Sequence, residues 1–131
     1  MRIVSIILLL LWPLGALAQG PLDAAAFDAR TQGRTITYSQ FGEVYGIEEY
    51  LPDRRVRWAF VGGECKVGSW FQDGEHICFL YDDGTDLQCW VFTETETGLM
   101  ARFRGMPDSE PLVSLVESRA PLVCAEAWHG V

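Results

Sequence analysis

The chain has 131 residues, of which 10 are lysine or arginine and 18 are aspartate or glutamate, so its formal net charge at pH 7 is −8. This acidic balance argues against binding to nucleic acid or to an anionic membrane surface, because both need a basic patch. The length predicts one domain with one core, which disulfides would help to stabilise.

The N-terminal segment has the pattern of a secretory signal peptide. A basic start at Arg2, an apolar run over residues 3–11 and the small residues Ala16 and Ala18 are typical of a cleavable leader. An uncleaved membrane anchor would need about 20 apolar residues, whereas Pro13 interrupts this run. The residue directly after the expected cleavage site is Gln19, so the cysteine that a lipoprotein would need at this position is missing.

We therefore expect a signal peptide at residues 1–18 and a single disulfide-stabilised β domain at residues 19–131. Removing the leader removes one basic residue and no acidic residue, so the formal charge falls from −8 to −9. The predicted location is periplasmic or secreted, without membrane insertion after cleavage.

One short helix is expected near the start of this domain. Leu22, Ala26 and Phe27 recur at helical spacing, Asp23 can cap the first turn, and Gly33 can end the helix.

From residue 34 onward, aromatic and β-branched residues alternate with a period of two between Gly- and Asp-rich turns. This pattern predicts a mainly β fold, an antiparallel meander of about seven or eight strands. The predicted strands lie near 34–39, 44–51, 54–61, 65–72, 75–81, 87–92, 98–104 and 111–118. Either the sheet stays open and the helix covers its second face, or the sheet curls into a small barrel.

Three glycine-containing turns predict the strand registers. A two-residue turn at Asp73-Gly74, for example, would place Trp70 opposite Ile77. The other two turns would pair Val56 with Trp70 and Ile77 with Trp90. Together they collect nine apolar side chains on one face, the predicted core: Val56, Trp58, Phe60, Trp70, Ile77, Phe79, Tyr81, Trp90 and Phe92.

The opposite face mixes polar and apolar side chains. With a turn at Pro52-Asp53, Glu48 would lie opposite Arg57, and Tyr50 opposite Arg55. Such a pair is usually a solvated ion pair, but Arg55 and Arg57 could also form a small basic island that binds a carboxylate or sulfate.

All four cysteines lie in the predicted mature domain. The turn at Asp83-Gly84 places Cys78 directly opposite Cys89, near disulfide distance. This pairing leaves Cys65 with Cys124, which would pin the C-terminal tail to the sheet. An even number of cysteines in an exported chain without a C-x-x-C pair favours structural disulfides over a metal site.

Candidates for catalysis are weak. His76 would lie diagonally across from Ser69, but an orienting carboxylate is missing because Glu75 points to the other face. The acidic turn around Gly84 lacks EF-hand spacing and is typical of a hairpin. We therefore predict no catalytic residue, no metal and no cofactor, and name Arg55, Arg57 and His76 only as weak binding candidates.

The whole pattern resembles a family of small exported proteins of uncharacterised function from Gram-negative bacteria. The resemblance covers most of the mature chain and rests on these residues: Gly33-Arg34-Thr35, Tyr45-Gly46, Tyr50, Val56-Arg57-Trp58, Cys65, Gly68-Ser69-Trp70, Ile77-Cys78-Phe79, Tyr81 and Cys89-Trp90. It implies a shared scaffold in the cell envelope, and it implies no activity.

The expected function is that of a non-enzymatic periplasmic binding or interaction protein. If the aromatic face encloses a cavity, the protein would carry a small apolar ligand. If that face is solid, the acidic surface favours a basic envelope protein as partner, such as a cell-wall hydrolase that the chain would inhibit.

Overall fold

The alternating segments form eight antiparallel strands that close into a barrel in a computed structural model, which describes residues 20–124. Each strand pairs with the next, and β8 returns to β1. The elements are α1 (Ala24–Thr31), β1 (Thr35–Gln40), β2 (Glu43–Tyr50), β3 (Arg55–Phe60), β4 (Lys66–Asp73), β5 (His76–Tyr81), β6 (Gln88–Thr95), β7 (Gly98–Phe103) and β8 (Leu112–Ser118). The mainly β prediction is confirmed, and the sheet is a barrel. The predicted signal peptide lies outside the described residues.

The helix α1 closes one end of the barrel. Asp23 caps it by accepting a hydrogen bond from the Ala26 amide at 2.8 Å. Phe27 is fully buried, and its ring centroid lies 5.5 Å from that of Tyr50, 5.0 Å from Trp70 and 4.6 Å from Phe92. The helix therefore inserts into the aromatic interior, and of the two predicted arrangements the structure has the barrel and not the open sheet with its second face covered by the helix.

Two registers differ from prediction by two residues. Trp70 pairs with Phe79, not Ile77, because Gly74 and Glu75 form the turn, with Gly74 at φ 60°. Val56 likewise pairs with Gly68 in place of Trp70. A shift of two residues keeps every side chain on its face.

The predicted core face is therefore largely correct. Seven of its nine side chains are buried, while Trp90 is partly buried and Phe60 is 49% exposed. The predicted pairing of Ile77 with Trp90 and of Cys78 with Cys89 is confirmed.

The register between β2 and β3 is wrong by one residue, and this error matters most. Glu48 pairs with Trp58, and Arg57 pairs with Glu49. The loop takes three residues, Pro52–Arg54, in which Asp53 and Arg54 adopt positive φ angles of 59° and 57°. A shift of one residue reverses the faces of a strand, so Glu48 and Tyr50 point into the barrel and both are 2% exposed.

Both predicted disulfides are present. Cys78–Cys89 joins directly opposed residues of β5 and β6, and Cys65–Cys124 attaches the C-terminal segment, with Cα separations of 4.0 and 5.4 Å. The segment is also held by Arg57, which donates to the Leu122 carbonyl at 3.0 Å. Disulfides are consistent with a compartment outside the cytoplasm. Within residues 20–124, no helix has the length and apolar character needed to span a bilayer.

Replacing Phe27 by alanine removes the ring that fills the closed end of the barrel. We expect the Phe27→Ala variant to lose about 3–5 kcal/mol of unfolding free energy, since the site is bordered by rings that cannot collapse into the space. Urea denaturation followed by circular dichroism measures this loss. Phe41→Ala, at a position 78% exposed, is the control and should change stability by less than about 0.5 kcal/mol. Equal losses in the two variants would show that α1 does not anchor the barrel.

Candidate functional site

A cavity of about 150 Å³ lies inside the barrel beyond the Phe27 plug. Its deep wall includes Phe79 and Phe92, both in contact with Phe27. Its rim includes the half-exposed Phe60 and the partly exposed Lys66 and Gln88, so the cavity opens at the end opposite α1. The complete lining is Tyr38, Tyr45, Glu48, Tyr50, Trp58, Phe60, Lys66, Phe79, Tyr81, Thr85, Gln88, Trp90, Phe92, Ala101 and Leu112.

A small polar cluster interrupts this aromatic wall. The Tyr81 hydroxyl donates to both carboxyl oxygens of Glu48, at 3.2 and 3.3 Å. The hydroxyls of Tyr38 and Tyr50 share a second hydrogen bond of 2.8 Å. These four residues are buried, so the polar groups of the cluster are sheltered from bulk water and face an apolar space.

Burial sets the electrostatics of the cluster. Loss of hydration raises the pKa of Glu48 well above its ordinary value of 4.5, and the hydrogen bond from Tyr81 only partly opposes this effect. Burial also raises the pKa values of Tyr38, Tyr50 and Tyr81. The environment therefore favours a protonated carboxyl and protonated hydroxyls when the cavity holds no charged group.

Three aromatic side chains, which we call the mouth aromatics (Tyr45, Trp58 and Phe60), surround the approach to Glu48. Their ring centroids lie 5.5–5.8 Å apart. Trp58 is directly opposite Glu48 in the β2–β3 ladder. Gly46 makes room for the Trp58 indole, because a Cβ at Gly46 would overlap that ring. The backbone thus brings an indole next to the buried carboxyl.

The predicted basic island lies outside the barrel and away from this cavity lining. Arg55 forms an ion pair with Asp82 at 2.7 Å, and Arg57 forms one with Glu49 at 2.7 Å. The expected pairings of these arginines with Glu48 and Tyr50 are wrong. An anion-binding role for them stays a prediction.

His76 is likewise separate from the cavity lining. It pairs with Asp73 across the β4–β5 turn, while Ser69 pairs with Leu80, so the expected diagonal approach of Ser69 and His76 is wrong. Within residues 20–124, no three His, Cys, Asp or Glu side chains are grouped so that they could hold a metal ion.

The acidic turn after β5 is organised by local contacts. Asp83 accepts hydrogen bonds from the Thr85 amide and hydroxyl at 2.9 and 2.5 Å. It also forms an ion pair with Lys66 at 3.0 Å, while the Lys66 amine donates to Thr85 at 2.9 Å. The turn therefore binds Lys66, the lysine on the cavity rim.

Glu48 is the residue that the sequence-based prediction missed. Tyr50, Glu48 and Gly46 alternate on one face of β2, so assigning Tyr50 to the aromatic interior would have assigned Glu48 there as well. The wrong loop length after β2 placed them outside.

No protein-family model, no curated protein and no solved structure matches this chain. The resemblance to small exported proteins therefore stays a prediction, and the geometry of the barrel interior carries the functional argument.

The buried carboxyl makes stability depend on pH. Because the pKa of Glu48 is higher in the folded state than in the unfolded state, the unfolded state binds fewer protons above about pH 4.5, and stability falls as pH rises. This contribution amounts to at most about 1.4 kcal/mol per pH unit and ends at the folded-state pKa. Glu48→Gln removes it, so we expect the variant to gain stability over wild type between about pH 5 and pH 7.

Chemical denaturation of both proteins across this pH range measures the difference. Glu43→Gln, at an exposed position of the same strand, should follow wild type at each pH. A constant difference between wild type and Glu48→Gln would contradict a buried carboxyl that is protonated in the folded state.

Proposed function

We propose that this chain is a non-enzymatic binding protein whose barrel interior takes up one small, largely apolar ligand. The single observation that carries the proposal is the cavity of about 150 Å³, lined mainly by aromatic side chains and containing one buried polar cluster. Apolar walls with a few convergent polar groups are typical of small-molecule sites. An engineered cavity of this volume accepts benzene, so the ligand is about the size of one aromatic ring.

Access to the cavity supports this function. The Phe27 plug closes one end, while the rim at the other end is formed by partly exposed side chains such as Phe60 and Gln88. A ligand would enter past the mouth aromatics and stop above Phe79 and Phe92. Because the barrel is closed and carries two disulfides, such a site is largely formed before binding, which lowers the entropic cost of association.

A basic envelope protein is the alternative partner, and the outer surface favours it less. Several carboxylates already form ion pairs with arginine or lysine side chains of the same chain, among them Glu49, Asp73, Asp82, Asp83 and Glu117. Exposed pairs of this kind leave less unbalanced charge for a partner. The predicted leader and the two disulfides support a location in the periplasm or outside the cell.

Titration calorimetry with benzyl alcohol tests the proposal. We expect saturable binding of one molecule per chain with a dissociation constant below about 1 mM. Ala101 lines the cavity and is 1% exposed, so Ala101→Leu should fill the space and weaken binding more than about tenfold.

Val67→Leu is the matched control, since it enlarges an apolar side chain on the outer face that is 45% exposed. This variant should bind like wild type. If Ala101→Leu folds and binds benzyl alcohol as well as wild type does, the ligand does not occupy the barrel interior.

A further inference from the structure

We propose that the ligand carries a cationic nitrogen, an alkyl or arylalkyl ammonium group, which pairs with the Glu48 carboxyl inside the aromatic barrel. This proposal rests on the proposed function and adds the charge and chemical class of the ligand. Its geometric basis is the direct pairing of Glu48 with Trp58 on the wall of a cavity that opens to solvent.

Glu48 has unused capacity to accept hydrogen bonds. Two carboxylate oxygens offer about four acceptor sites, yet the described residues supply one donor, the Tyr81 hydroxyl, which both oxygens share at 3.2 and 3.3 Å. Bonds of this length are longer than usual for a hydroxyl donor. A donor on the ligand therefore has room to bind without displacing a protein contact.

Glu48 also has no counter-ion in the part of the chain that the structure describes. Lys66 lines the same cavity but binds Asp83 and Thr85. Arg55 and Arg57 point outward, where each has its own carboxylate partner. Burying a carboxylate without a counter-ion costs free energy. A cationic ligand would supply the counter-ion that the described residues do not provide.

The surrounding rings favour the same charge. Trp58, Tyr45 and Phe60 form a cluster with centroids 5.5–5.8 Å apart beside the carboxyl. The faces of aromatic rings are electron-rich and attract ammonium groups, most strongly when the groups are desolvated. An anionic ligand would not be attracted by the ring faces in this way.

Binding of a cation should be linked to a proton. An ammonium group beside Glu48 favours the ionised carboxyl, so uptake releases a proton and affinity increases as pH rises above about 4.5 towards the raised pKa of Glu48 in the ligand-free protein. On the cavity side, β1, β2 and β5 contribute tyrosine hydroxyls, including Tyr38, Tyr50 and Tyr81, and β4 contributes the Lys66 amine. Burial raises the pKa values of Tyr38, Tyr50 and Tyr81, so their hydroxyls stay protonated over this range. The lining residues of β3, β6, β7 and β8 carry no titratable group, so Glu48 accounts for the pH effect.

Three probes of similar size and different charge test the proposal by titration calorimetry: benzylammonium, benzyl alcohol and benzoate. We expect wild type to bind benzylammonium at least about tenfold more tightly than benzyl alcohol, as for a charge-assisted hydrogen bond, and benzoate least. Glu48→Gln keeps the shape and removes the charge, so it should abolish this preference. Glu43→Gln, exposed on the same strand, should retain it.

A second measurement uses wild type alone and therefore does not depend on the folding of a variant. Titration of benzylammonium in two buffers of different ionisation enthalpy should show a proton released on binding, and titration of benzyl alcohol should show none. Benzyl alcohol binding as tightly as benzylammonium, or a preference that persists in Glu48→Gln, would overturn the cation proposal and leave the proposed function standing. Failure of all three probes to bind would overturn both.

Discussion

The insertion of Phe27 into one end of the barrel is the contact on which the rest of the interior depends. Closure of the sheet leaves an interior that side chains must fill, and this one ring, fully buried, contacts Tyr50, Trp70 and Phe92 from three different strands. Arg30 also holds the helix, through partly buried ion pairs with Glu94 at 3.0 Å and Glu117 at 2.6 Å. The plug divides the interior into a packed half and a hollow half.

The hollow half contains the feature least compatible with stability. Burying Glu48 beside Tyr81 costs free energy, and an apolar side chain at the same position would pack without that penalty. Buried ionisable groups with strongly raised pKa values tend to occur at functional sites, where ligand binding compensates for the cost. The combination of an unfilled cavity and an incompletely satisfied carboxyl is therefore more informative about function than either feature alone.

The period-two pattern predicted the architecture well, because an error of two residues does not change the face of a strand. The turn was predicted at Asp73-Gly74, one residue before its actual position at Gly74-Glu75. Trp70 and Phe79 nevertheless point inward. The turn at Asp83-Gly84 also predicted the β5–β6 register correctly, and with it the pairing of Cys78 with Cys89. These features depend on which face of a strand each residue occupies and on the short distance that a disulfide spans. Both can be inferred from the spacing of the residues in the sequence.

The candidate site was not predictable in the same way. Its location depends on the three-residue loop after β2, in which Asp53 and Arg54 adopt positive φ without glycine. L-residues seldom adopt this conformation, so the local sequence favours the shorter Pro52-Asp53 turn. One residue of loop length reversed the face of Glu48, and with it the nature of the barrel interior.

The disulfides, predicted as supports for the sheet, have a more specific position in the structure. Cys78–Cys89 joins the two strands that carry Phe79 and Gln88 of the cavity wall. Cys65 directly precedes Lys66 on the rim, so Cys65–Cys124 fastens the chain beside the opening. Both disulfides therefore lie next to residues of the cavity wall or its rim. The cysteines, which the sequence shows plainly, thus border a cavity that the sequence pattern did not predict.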